Sequence, residues 1–112
     1  MADTLYDLGK VEGMKGIEAS ISSLILRTSA GVLITNTGAT TSDFATNGTT
    51  GQLANTSAID FDVLASDVGL IVFYVDIQSA SGPMVRVDLS PTVTLTTEGT
   101  ATFAIGDLTA IL

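Results

Sequence analysis

The sequence predicts a mainly β domain, a β-sandwich or small barrel of seven to eight short strands with a short N-terminal helix. Three observations lead there. Period-two alternation recurs in short runs, as where Ile59, Phe61 and Val63 interleave with Asp60 and Asp62, giving a strand one dry and one wet face. Clusters of Gly, Ser, Asn and Pro punctuate these runs at short intervals, as in sandwiches and barrels. Helical periodicity is confined to the start of the chain. With 112 residues, the chain is read as a single β domain, residues 1–112.

The helix is expected over Asp3 to Met14. Asp3 or Thr4 caps its start, Asp7 suits the positive end of the dipole, and Leu5, Leu8, Val11 and Met14 recur as an apolar stripe. Gly9, Gly13 and Gly16 work against it, since an interior Gly costs about 1 kcal/mol relative to Ala. Gly16 suits the stop position. Residues 1–17 are therefore read as a marginal helix or arm that needs a partner surface.

Leu24 to Thr28 and Val32 to Thr35 read as a hairpin around Ser29-Ala30-Gly31. Residues 36–56 read as a long polar loop, with Phe44 and Leu53 its sizeable apolar residues and Asn47-Gly48 a turn at its tip. Loops of that length are often functional or ordered by a partner. Ile59 to Val63 is a half-exposed strand. The continuous run Leu70 to Val75 predicts a strand covered on both faces at the centre of the fold. Ser79 to Pro83 turns the chain, and Val85, Val87 and Leu89 alternate with Arg86 and Asp88. After Pro91, Val93 and Leu95 alternate with threonines. Glu98-Gly99 turns into Ala101 to Ile105, and the apolar tail Leu108 to Leu112 is expected to be docked.

Composition narrows function by exclusion. The chain contains no His and no Cys, which supply most neutral-pH general bases, transition-metal ligands and thiol nucleophiles. A Ser or Thr nucleophile would need Lys10 or Lys15 as its base, and no Ser-x-x-Lys arrangement occurs. No phosphate-loop pattern follows Gly38 or Gly48. Paired carboxylates suffice for glycoside hydrolysis, but the aromatic content is 5%, poor in sugar platforms. The reading is a non-enzyme with no cofactor. Asp60, Asp62 and Asp67 raise the question of a hard cation, yet the EF-hand Gly and closing Glu are missing, so they read as a solvated strand face. Asn47-Gly48-Thr49 and Asn55-Thr56-Ser57 match the glycosylation triplet and read as chance matches in a Thr-rich segment.

Charge excludes further partners. Lys10, Lys15, Arg27 and Arg86 are the four basic residues against 12 acidic ones, for a net charge of −8. No basic track exists for nucleic acid or for an anionic membrane surface. The N-terminus lacks a basic n-region and apolar h-region, so synthesis in a cytoplasm is expected. The longest apolar run, Val68 to Val75, is too short to span a bilayer as a helix. At 46% hydrophobic, a chain this small carries more apolar surface than one core buries. The surplus is expected to face another chain, making a homo-oligomer or a tight complex. The candidate contact residues are Leu5, Tyr6, Leu8, Val11 and Met14 of the helical segment and Phe44 and Leu53 of the polar loop.

The order of features also resembles a known group. Met-Ala-x-Thr-Leu-Tyr-Asp leads into a short helix closing on Gly16-Ile17, then paired strands and a polar middle. Ala58-Ile59-Asp60-Phe61-Asp62-Val63 and Gly69-Leu70-Ile71-Val72-Phe73-Tyr74 follow, and Pro91-Thr92-Val93-Thr94-Leu95 and Gly99 to Phe103 close the pattern. This layout resembles small β-rich virion proteins of tailed bacteriophages. The resemblance implies a capsid decoration (cement) protein, located in the virion and bound to the major capsid protein or another virion protein. It carries no catalytic residues over. A tail- or fibre-associated protein and a small-ligand or glycan-binding β module are the alternatives.

Overall fold

The computed structural model describes residues 7–39 and 41–111. It is mainly β, as the alternation and turn spacing predict, with nine strands where seven or eight were expected. Helix α1 (Asp7–Ala19) precedes β1 (Ser23–Arg27), β2 (Leu33–Gly38), β3 (Phe44–Thr46), β4 (Leu53–Asn55), β5 (Ile59–Val63), β6 (Ile71–Ser79), β7 (Gly82–Thr94), β8 (Gly99–Phe103) and β9 (Thr109–Ala110). They form three antiparallel sheets: β2-β1-β6-β7, β3-β4-β9 and β5-β8. One core joins them, built on Leu24 and Leu26 of β1, Val72, Val75 and Ile77 of β6, Phe61 of β5 and Leu108 before β9. Phe61 and Phe103 meet edge-on across β5 and β8, centroids 5.6 Å apart. That geometry sets one ring's positive edge on the other's negative face.

The helix runs further than its glycines predict. It continues through Gly16 to Ala19 and stops where the Ser20 hydroxyl and N–H turn back onto the carbonyls of Gly16 and Ile17. Tertiary packing overrides propensity here. Val11 and Met14 are buried, and Glu18 accepts a hydrogen bond from the Thr46 hydroxyl of β3 at 3.0 Å.

The segment read as a long polar loop is instead a built part of the fold, holding the end of β2, a 3-10 turn at Thr41–Asp43, and the β3-β4 pair. Asn47 organises the turn between these strands. Its side-chain oxygen accepts the N–H groups of Thr49 and Thr50, and its carbonyl accepts that of Gly51. Gly51 has φ +75°, and a Cβ there would lie 2.6 Å from the Lys10 carbonyl carbon. The backbone of α1 thus rests directly on a residue that must lack a side chain.

Asn55 ends β4 fully buried, with its side-chain amide completely engaged. Nδ2 donates to the carbonyls of Ser57 and Ala104, both at 2.9 Å, and Oδ1 accepts the N–H groups of Gly106 and Leu108, both at 3.0 Å. A residue that reads in sequence as a glycosylation acceptor is therefore an internal clamp. It holds the β8-β9 connection against β4, and Leu108 is buried and β9 paired; of the tail expected to dock, Leu108 and Ala110 are buried, Ile111 is exposed, and Leu112 lies outside the described residues.

Three stability outcomes follow. Asn55→Leu, similar in volume but unable to bond, should lose about 3 kcal/mol in urea unfolding, because four side-chain bonds to the backbone disappear and the buried Leu108 N–H loses its partner. Gly16→Ala should gain about 0.5–1 kcal/mol, since its Cβ meets nothing within 4 Å. Gly51→Ala should instead lose about 2 kcal/mol from left-handed strain and contact with α1.

Candidate interaction site

The four-stranded sheet has two unlike faces. Leu24, Leu26, Val75, Ile77 and Val87 point into the core. By alternation, Ile25, Arg27, Tyr74, Asp76, Arg86 and Asp88 share the opposite face. The register lays them in rows: Leu33, Arg27, Tyr74 and Asp88 across one line, Asn36, Ile25, Asp76 and Arg86 across the next.

Two ionic contacts knit this face. Arg27 Nε donates to Asp76 at 2.8 Å, both side chains being largely buried, and Arg27 Nη1 donates to the Gly31 carbonyl at 3.1 Å. Arg86 lies 3.8 Å over the Tyr74 ring and donates to Asp88 at 2.6 Å. That hydrogen bond, with the charges of Asp88, Tyr74 and Asp76, raises the Arg86 guanidinium above its already high ordinary value against the opposing effect of burial. Ile25 is 7% exposed although it stands outside the core cluster. On that face Asp76 stands directly opposite it and Arg27 lies two residues along its own strand.

Beyond the charged rows the face turns apolar. Val72 pairs with Val93, but Tyr74 pairs with Asp88, so Leu89 to Thr92 stand opposite Phe73 alone. This bulge breaks the strict alternation of β6. Ile71 and Phe73 flank the buried Val72 and remain 40% and 36% exposed. Leu64, Val68 and Leu70, in the connection leading into β6, are exposed as well, and so are Val32 and Leu33 at the β1-β2 hairpin. The continuous run Leu70 to Val75, predicted to be covered on both faces, is covered on one: Val72 and Val75 are buried, Tyr74 is half-buried, and Leu70, Ile71 and Phe73 are exposed.

The candidates named from sequence are placed differently. Leu5 and Tyr6 lie outside the described residues. Val11, Met14, Phe44 and Leu53 are buried within the chain, and Leu8 is 74% exposed. Phe44 and Leu53 sit opposite α1 in the β3-β4 pair and the core, which is why a polar segment holds two large apolar residues. Sequence reasoning missed Ile71 and Phe73, because a bulge has no signature in hydropathy.

The acidic residues raised as cation ligands do not converge. Asp60 accepts the Thr102 hydroxyl at 2.7 Å, while Asp67 is buried and accepts the Leu64 N–H at 3.1 Å. Among the described residues no group of three or more potential ligands forms a metal site, and no helix is long and apolar enough to cross a membrane. No protein-family model, curated protein or solved structure matches this chain.

The Arg27–Asp76 pair is expected to behave as a half-buried ion pair. Arg27→Met should keep the apolar stem but strand Asp76, costing about 2 kcal/mol in urea unfolding. Adding Asp76→Leu should recover most of that loss, because the stranded charge is gone.

Proposed function

We propose that this chain is a structural virion protein that decorates a tailed-phage capsid, acting as a homo-oligomer through protein–protein contact with the major capsid protein or another virion protein. The observation that supports an interaction role is the apolar end of the four-stranded sheet. Ile71 and Phe73, with Leu64, Val68 and Leu70 next to them in sequence, leave large side chains in water on a strongly acidic chain. Contiguous exposed apolar surface of this kind marks contact sites.

The side-chain chemistry of this face favours contact over turnover. The charged groups of the outer face are paired with one another, Arg27 with Asp76 and Arg86 with Asp88. The assignment to a phage head rests on the sequence layout, and the structural role on the patch. Repetition over a lattice would let modest contacts add by avidity.

Light scattering across a concentration series, followed by co-sedimentation with expanded tailed-phage capsids, tests this reading. The expected result is an oligomer that pellets with capsids. Ile71→Ser combined with Phe73→Ser should weaken association by about 100-fold or more, since burying each side chain is worth about 1.5–3 kcal/mol. A concentration-independent monomer that stays in the supernatant overturns the proposal.

A further inference from the structure

Two strand edges face each other across an open groove. β7 ends the four-stranded sheet and β8 ends the two-stranded sheet, so among the described residues neither has a hydrogen-bonded strand on its outer side, although β9 packs against β7 and its Thr109 lines the groove. The groove between them encloses about 490 Å³. Unbroken runs line it, Val87 through Val93 on one side and Ala101 through Phe103 on the other. On β7 the run includes the bulged residues Leu89 to Thr92, and as sheet edges both β7 and β8 carry backbone N–H and C=O groups directed away from their paired strands.

The arrangement of the sheets gives the groove its meaning. At their other ends the two sheets meet, with β2 packed against β5. Together they form a ring of strands closed at β2 and β5 and open at β7 and β8. One further strand would complete it and remove both edges, as barrels do. The run Ala101–Phe103 spans about 10 Å, room for about three extended residues.

Charge selects the occupant. Asp88 and Asp107 line the groove, and Asp60 is hydrogen-bonded to the lining Thr102. No Lys or Arg lines it; Arg86 already pairs with Asp88, so the recognition falls to Asp107 and Asp60, for which no ion pair forms among the described residues. This chain's own strands are poor candidates. Lys10 and Lys15 belong to α1, and Arg27 and Arg86 to strands already in the four-stranded sheet. A second copy has the same four basic residues in the same elements, so it offers this groove no basic strand.

We infer that the β7-β8 groove is a receptor for an extended segment of a different protein, one alternating basic with apolar residues. The segment pairs by its main chain with both edges, and its basic side chains meet the aspartates. Pro91 offers no N–H, so the pairing on β7 uses the residues flanking it, and indiscriminate edge pairing is discouraged. The groove is lined by residues other than Ile71 and Phe73, and the inference does not depend on the phage reading.

The test uses the full chain and a fluorescent, capped seven-residue peptide alternating lysine or threonine with valine. Anisotropy should show saturable binding, about tenfold weaker when glutamate replaces lysine. Methylating alternate peptide amides should abolish binding, because the pairing needs those donors. Amide exchange should slow in β7 and β8 and not in the β2 edge. The Leu64→Ser variant, at an exposed residue outside the groove, should bind the peptide unchanged, which separates this site from the self-association surface. Absence of binding, equal binding of the glutamate peptide, protection at β2, or protection of β7 and β8 by self-association without peptide would each overturn the inference.

Discussion

The fold depends on one buried amide. Asn55 spends both hydrogens and both acceptor positions on backbone groups that lie two residues and about fifty residues away in sequence. Each such bond is worth only about 0.5–1.5 kcal/mol net. Their importance lies in what leaving them unmade would cost, because the Ala104 carbonyl and the Leu108 N–H sit beside the core. The clamp fixes where the chain turns after β8, and that turn delivers Leu108 to the core and β9 to the edge of β4. No aliphatic side chain supplies this set of bonds, and an aspartate would turn an oxygen toward two carbonyls.

A second constraint concerns how a glycine-rich helix persists. α1 has little intrinsic stability, so its position comes from Val11 and Met14 on one side and from the close approach of Gly51 beneath its first turns. The β3-β4 turn is shaped by Asn47, whose side chain imitates a backbone acceptor. The helix is therefore placed by two asparagines and a glycine in the segment that looks least structured in sequence. Across the molecule, the outer face of the four-stranded sheet uses the opposite strategy. The Arg27–Asp76 pair stands beside the buried Ile25, and the apolar surface beyond the β6-β7 bulge is the uncovered part.

Much of the architecture was legible in the residues. The β1-β2 hairpin, the alternation in β5, the turn before β7 and the Gly99 turn all follow from local signals, since each is decided within a few residues. The core status of Phe61 was legible for the same reason. The rest depended on distant partners. Asn36 to Asn55 looked like a loop because its burial is supplied by α1 and by the β8-β9 connection, neither of which is near in sequence. The contact candidates were misleading in a related way: amphipathic spacing around Val11 and Met14 shows that a face is buried, not whether the cover is this chain or another. Ile71 and Phe73 were hidden by a bulge whose extra residues lie in the partner strand.

Gly51 and Asn55 carry a consequence for ancestry. Neighbouring Gly48 has open space around its Cα, so that position is free to drift, whereas a side chain at 51 collides with a helix backbone. Distant chains built on this plan should thus betray themselves through sparse punctuation: an asparagine, a glycine and an asparagine at intervals of four, as at Asn47, Gly51 and Asn55. Such a trace would survive long after the surrounding threonines and serines had been exchanged, and it is faint enough to escape comparisons that weigh every column alike.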